Sequence, residues 1–243
     1  MQFLKTDYTE VWAGSQNLPL ARFAHHTRSI AATGLDMLEF AAREKLQAEL
    51  SSFDSIISWY GTNQQEFRDA VQSLPFQFFT AIPPDHCQIH AADYFATQVG
   101  CPVPAIPRVD CPRKNAGFAV IHPFSGSPRK CWPFDRYQEL ARSLEAHMPV
   151  RWCAGLEDSL PDAVRIADLY ELAHWLATAH LYIGNDSGIT HLAAAVGTQV
   201  VALFGPTDPR IWSPRGPSVR VIAKPAMTDI SVEEVLDSLG NVE

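Results

Sequence analysis

Three observations predict an α/β protein built on parallel sheets. From residue 118 onward, β-branched apolar runs alternate with segments of helical period, the pattern of strands joined by crossover helices. Hydrophobic residues make up 47% of the 243, enough for buried cores rather than a disordered chain. Polar clusters also fall where a strand runs into a helix, which is where open α/β sheets hold ligands. Two α/β domains are expected, over residues 1–106 and 117–228, joined by a linker at 107–116 and followed by a closing helix in 229–243.

The elements are justified in chain order as follows. Residues 41–53, 64–74 and 90–99 read as helices, and 55–60 and 76–82 as strands. Residues 101–116 hold four prolines and no period, which disfavours helix and sheet interior alike. Residues 118–121 form an apolar strand. Residues 135–146 place Tyr137, Leu140, Ala141 and Leu144 at helical spacing, with Asp135 as the expected N-cap. Residues 150–154 are a strand, and 169–179 a helix with Leu172, Leu176 and Ala179 on one face. Tyr182 and Ile183 run into the polar turn 184–188, where Asp186 is expected to cap a helix carrying His191, Leu192, Ala195 and Val196. The β-branched run 200–204 follows and stops at Gly205-Pro206. Ser231 caps a last helix at 230–239, with Glu233 and Glu234 in its first turn.

Composition narrows the function classes. A net charge of −8 argues against a nucleic-acid partner or a general membrane-surface binder. The five cysteines are odd in number and include no C-x-x-C, favouring free thiols in a reducing compartment. No apolar run approaches the roughly 18 residues of a membrane span, and MQFLKTDYTEVW has no signal-peptide core. A soluble cytoplasmic protein is expected.

Two polar loops carry the chemistry. HPFSGSPRKCWP (122–133) offers His122, Ser125, Gly126, Ser127 and Lys130 between a strand and a helix. Hydroxyls and a lysine suit phosphate oxygens, and Gly126 lets the backbone approach. The GK[ST] of a P-loop is absent, and an ordinary surface loop is the alternative. The second loop offers Asn185, Asp186, Ser187, Gly188, Thr190 and His191 at a helix start, where free N–H groups favour anions. Capping needs one polar side chain and, Gly188 aside, the loop offers five, while His191 is either a site residue or a core histidine facing Leu203. Glu157, Asp158 and Asp162 follow a strand, either to hold ribose hydroxyls or as a solvated acidic turn. His86 and His90 stand at i, i+4, a metal-ligand spacing on a helix, but Pro83-Pro84 favours solvated histidines. His25 and His26 are either acceptor contacts or a polar loop.

Taken together, three stretches resemble glycosyltransferase family 9. HPFSGSPRKCWPFDRYQELA is similar to the family's H-x-G-x-S…K-x-W-P-x-x-x-[FY]-x-x-L-A segment. NDSGITHLAAAVGTQVVALFGPTDP is similar to its N-D-[ST]-G-x-x-H-x-A-A signature, and WCAGLED to its strand, glycine and glutamate. The family includes the ADP-heptose–lipopolysaccharide heptosyltransferases, and the similarity covers residues 118–216. It implies a GT-B-like architecture, two Rossmann-like domains facing a cleft, with 117–228 binding the nucleotide-sugar donor. It implies inverting transfer of an ADP-linked, heptose-type sugar to a cell-envelope glycan or glycolipid, which would bring peripheral contact with the inner membrane face. No cofactor and no metal are implied. Ser125, Ser127 and Lys130 would face the diphosphate, and Glu157 the ribose. Asp186, Ser187, Gly188 and His191 would line the pocket near sugar and phosphates, with Lys130 and Asp186 as the catalytic pair.

The sequence also departs from the family. Members open with a strand and a Gly-Asp turn whose aspartate is the proposed base, and no Gly-Asp occurs in the first 50 residues. Phe124 stands where a small glycine is usual. The N-terminal acceptor domain is therefore expected to be reduced, and the base is sought among Asp7, Glu10, His25 and His26. The alternatives are a catalytically impaired nucleotide-sugar binder, a chain whose start lies upstream, and a nucleotide-sugar epimerase, since one fold hosts several activities.

Overall fold

A computed structural model describes residues 6–35 and 44–240. Two compact units form, one of residues 1–87 with 97–101, the other of 88–96 with 102–243.

The first unit holds β1 (Glu10–Ala13), β2 (His26–Ser29), α1 (Ile30–Thr33), α2 (Glu44–Leu50), β3 (Ile56–Ser58), α3 (Gln65–Ala70) and β4 (Phe76–Phe78). β1 pairs with β2 and β3 with β4, both in parallel, as two separate two-stranded sheets. Leu35, Leu46, Leu50 and Val71 form a small core with Trp12, Ile56 and Phe76 packed against it. Residues 41–43 of the helix expected at 41–53 lie outside the described residues.

Helix α4 (Ala91–Gln98) opens inside the segment that packs with the second unit. The Asp93 carboxylate accepts from both Arg215 guanidinium nitrogens, at 2.6 and 2.7 Å, and from the Ala105 N–H at 2.7 Å. Residues 107–116, read as a linker, are laid along the second unit. Val109 N–H bonds the Ala195 carbonyl, Ala116 N–H the Thr178 carbonyl, and Arg113 the Gly197 carbonyl.

The second unit alternates as expected: β5 (Ala119–His122), α5 (Phe134–Glu145), β6 (Val150–Trp152), α6 (Leu169–Thr178), β7 (Leu181–Asn185), α7 (Gly188–Ala195) and β8 (Gln199–Phe204). The short α8 (Pro209–Trp212), β9 (Val219–Ala223) and α9 (Val232–Leu239) follow. The five strands form one parallel sheet in the order β6-β5-β7-β8-β9. Alternate residues divide between its faces. Ala119, Ile121, Leu181, Ile183, Val201 and Leu203 join Tyr137, Leu140 and Leu144 of α5 and Val235 and Leu239 of α9 in one core. Val120, Tyr182, Val200 and Ala202 are buried in the other set, where Tyr182 meets Thr190 of α7 at 3.1 Å.

Two expected caps are corrected. Pro133, not Asp135, occupies the N-cap of α5, which has no side-chain cap bond. Ser187, not Asp186, caps α7, its hydroxyl accepting from the Thr190 N–H. The Ser231 cap of α9 is present, with Glu234 closing a capping box. The loop ahead of α5 is tied to this C-terminal region. Trp132 Nε1 donates to the Ile230 carbonyl at 3.0 Å, and Arg136 donates to the carbonyls of Thr228 and Ile230.

Candidate functional site

The strand order reverses between β5 and β7. The chain leaves β5 for β6 on one side and returns to β7 on the other, which opens a crevice beyond the carboxyl ends of these two strands. The loops from His122 and Asn185 both enter it. Gly184 is required at this point. A Cβ there would stand 2.8 Å from the Tyr182 hydroxyl and 3.1 Å from the His122 carbonyl, so a side chain would push β5 and β7 apart.

Asp186 is the meeting point of three strand-end loops. Lys130 Nζ, from the loop after β5, lies 2.8 Å from Asp186 Oδ2. Thr207 Oγ1, from the loop after β8, donates to the same oxygen at 2.8 Å. Ser125 Oγ donates to the Asp186 carbonyl at 2.8 Å. His191 Nε2 stands 4.0 Å from Asp186 Oδ1, an ion-pair separation rather than a hydrogen bond. Burial would raise the Asp186 pKa, but His191, Lys130 and Thr207 outweigh it and hold the carboxyl at about 2. Asp186 is therefore a permanent anion that fixes a cation, and a weak proton acceptor at neutral pH.

The structure brings Ser125, Lys130, Asp186 and His191 together and adds Thr207, which the sequence reading does not single out. Gly126 and Gly188 have open space where a side chain would stand, leaving the backbone approachable. Ser127 is half-buried and precedes the short turn carrying Lys130. Glu157 is exposed on the same carboxyl edge, with no bond to the Asp186 cluster, while its neighbour Asp158 accepts from the Gly155 N–H at 2.7 Å.

Two expected donor contacts are corrected. Asn185 is fully buried; its Oδ1 accepts from Trp132 N–H and Tyr137 O–H, both at 2.9 Å, and its Nδ2 donates to the Pro123 carbonyl at 2.9 Å. Thr190 is equally buried, bonded to Tyr182, Ser187 and the Asn185 carbonyl. Both side chains hold the crevice in shape and present nothing to it. His191 is 40% exposed at its side chain, so it is not a core histidine.

Among the base candidates, Glu10 is occupied. Its carboxylate accepts from Trp12 Nε1 at 2.7 Å and Tyr8 O–H at 3.3 Å, with Arg28 3.7 Å away. His25 Nδ1 accepts from the Thr9 N–H at 3.0 Å and its ring stacks on Tyr8. Asp7 and His26 are exposed. His90 has both ring nitrogens engaged, by the Ser213 carbonyl and the Ala92 N–H, which corrects its reading as a metal ligand or a solvated residue. Among the described residues, no group of three or more His, Cys, Asp or Glu side chains is arranged to hold a metal. Nor is any described helix long and apolar enough to cross a membrane.

Residues 83–239 match the family model described as glycosyltransferase family 9 (heptosyltransferase), a span that contains every member of the Asp186 cluster. The chain belongs to glycosyltransferase family 9.

Curated members of glycosyltransferase family 9 match over part of their length. Lipopolysaccharide heptosyltransferase 3 of Escherichia coli K12 is 32% identical over 114 residues, 40% of this chain and 33% of that protein. Lipooligosaccharide heptosyltransferase 2 of Haemophilus influenzae is 26% identical over 113 residues, 39% of this chain and 33% of that protein. The matches thus span about a third of these relatives. The fold match is wider. The ADP-heptose lipopolysaccharide heptosyltransferase II of E. coli superposes with a TM-score of 0.73 at 17% identity, covering 95% of this chain and 87% of that one. E. coli heptosyltransferase WaaC with ADP gives 0.67 at 17% identity, covering 95% and 88%. The α/β architecture with parallel sheets expected from the sequence is that of these GT-B-like family 9 structures.

His122, at the end of β5, gives this family 9 site a pH signature. Its ring is buried, Nδ1 has no hydrogen-bond partner, and burial lowers its pKa to about 4 against the opposing charge of Asp158. An unfolded histidine titrates near 6.5. Between these values the unfolded chain binds the extra proton, so stability is full above about pH 6.5 and is lost as the pH falls toward 4. The expected loss is about 3 kcal/mol. Urea midpoints measured from pH 7 to 4.5 should fall accordingly, and His122→Gln should flatten that slope; an unchanged slope in the variant would rule the assignment out.

Proposed function

We propose that this protein binds an ADP-linked, heptose-type sugar and transfers the sugar, with inversion, to a cell-envelope glycan acceptor. The observation that carries this reading is the convergence of the β5, β7 and β8 loops on Asp186, which fixes Lys130 at the crevice where the strand order reverses. The family supports it, and so does the likeness to a heptosyltransferase structure that contains ADP.

In the proposed reaction the acceptor hydroxyl oxygen bonds to the anomeric carbon. The bond from that carbon to the diphosphate oxygen breaks, and its electron pair leaves with ADP. Negative charge therefore grows on the leaving diphosphate. Lys130 and the amino end of α7, opened by Gly188, are the groups proposed to meet it. Asp186 positions Lys130 and His191, Ser125 and Ser127 face the diphosphate, and Glu157 reaches the ribose. The acceptor proton passes to a base outside the cluster, because Asp186 is held at about 2. No cofactor is part of the proposal. The acceptor side, with its contact to the inner membrane face, belongs to the same proposal.

A second reading, a nucleotide-sugar binder that does not transfer, is favoured by one observation: two of the four base candidates, Glu10 and His25, are already engaged by other groups. Titration calorimetry with ADP and UDP tests both readings. ADP binding in the micromolar range with weaker UDP binding is expected; no binding of either nucleotide would sink both. ADP release from ADP-heptose in the presence of a lipopolysaccharide-core acceptor then separates transfer from binding alone.

A further inference from the structure

The donor contacts proposed above leave Thr207 without one. This residue stands in the loop after β8, and the loop is held firmly in place. Gly205 packs so closely on Met227 that a Cβ there would lie 2.8 Å from the Met227 Cγ. Pro206 and Pro209 restrict the backbone on either side. Thr207 and Asp208 are the polar residues of the stretch 205–209, and Asp208 is taken up by capping α8 and by the Arg210 guanidinium at 2.7 Å. Thr207, half-buried, turns its hydroxyl onto Asp186 in the crevice.

That hydroxyl has one proton and two lone pairs. The proton lies on Asp186 Oδ2, 2.8 Å away. A bond to an ionised carboxylate is of the strong, charge-assisted kind, so the proton stays there. Toward the crevice Thr207 is therefore an acceptor only. An ionised diphosphate has no proton to offer it, whereas a sugar hydroxyl does. The strand order points the same way. Ribose is proposed at Glu157, after β6, and the diphosphate at Lys130 and the amino end of α7, which follow β5 and β7. In the order β6-β5-β7-β8 the next strand along is β8. Neighbouring strands lie about 4.8 Å apart. The group bonded to the far phosphate, the sugar, thus falls at the loop that carries Thr207.

We propose that Thr207 determines specificity for the transferred sugar, accepting a hydrogen bond from one of its hydroxyls in an orientation that Asp186 fixes. The inference rests on the donor-binding reading. The test uses the full chain as wild type, Thr207→Val and Thr207→Ser, and measures Kd by calorimetry for ADP, for ADP-heptose and for its monodeoxy analogues. Valine keeps the branched shape and removes the hydroxyl. In Thr207→Val the affinity for ADP-heptose is expected to fall about tenfold more than the affinity for ADP, the upper scale of one neutral hydrogen bond, and Thr207→Ser should restore it. Comparison with ADP cancels any general change in the fold or in the placement of Lys130. One deoxy analogue should lose as much against the wild type and nothing further against Thr207→Val, because both changes delete the same bond. Equal losses for ADP and ADP-heptose would make Thr207 a support for Lys130 alone and overturn the proposal. So would a deoxy series in which every member loses the same in wild type and Thr207→Val. A wild type that binds no ADP would remove the donor reading, and this proposal with it.

Discussion

Lys130→Ala is expected to weaken ADP binding about tenfold or more and to lower turnover further, by about a hundredfold. The first figure is the scale of one hydrogen bond to a charged group, and the second that of a donor aimed at charge developing in the transition state. The substitution acts twice. It removes the ammonium proposed to meet the diphosphate, and it strips Asp186 of the cation 2.8 Å away, leaving a carboxylate that repels the incoming anion. Calorimetry with ADP and initial rates with the sugar donor measure the two effects separately. Lys130→Arg should recover part of the binding, because the charge returns in a different shape. Unchanged affinity and turnover in Lys130→Ala would remove Lys130 from the site.

Asn185→Leu is expected to cost about 3–5 kcal/mol of folding stability. The leucine is similar in volume but leaves the Trp132 N–H, the Tyr137 O–H and the Pro123 carbonyl buried without partners. Each buried orphan costs about 1–3 kcal/mol, and partial relaxation keeps the total below the sum. Urea unfolding gives the value, and a loss under about 1 kcal/mol would contradict it. Donor binding should weaken together with stability, because the same bonds hold the loop that carries Ser125 and Lys130.

Much of the second unit was legible in the sequence, and the reason is burial. β5, β7 and β8 are hidden on both faces, so each carries a short, nearly continuous apolar run, and α5 shows its apolar stripe. β1 (EVWA), β2 (HTRS) and β9 (VRVIA) were not read as strands. Each is short and only partly buried, with polar residues that obscure any period. The caps were misplaced for a local reason. Asp186 and Ser187 are adjacent and both suited to capping, and the choice turned on Lys130, 56 residues away, claiming the aspartate. Asn185 and Thr190 misled in the same way. A polar side chain that ties strands together and one offered to a ligand look alike in a sequence, and only their burial separates them.

The bond from Trp132 to the Ile230 carbonyl has a practical consequence. The peptide that carries Lys130 is moored to a stretch almost a hundred residues downstream, just ahead of the last helix. Clipping the chain after Trp212, beyond the loop that carries Thr207, would leave every member of the Asp186 cluster in place yet release the anchor beneath them. An expression fragment meant to isolate this pocket must therefore keep the final helix, and protease nicking near residue 230 should silence nucleotide binding before the sheet itself comes apart.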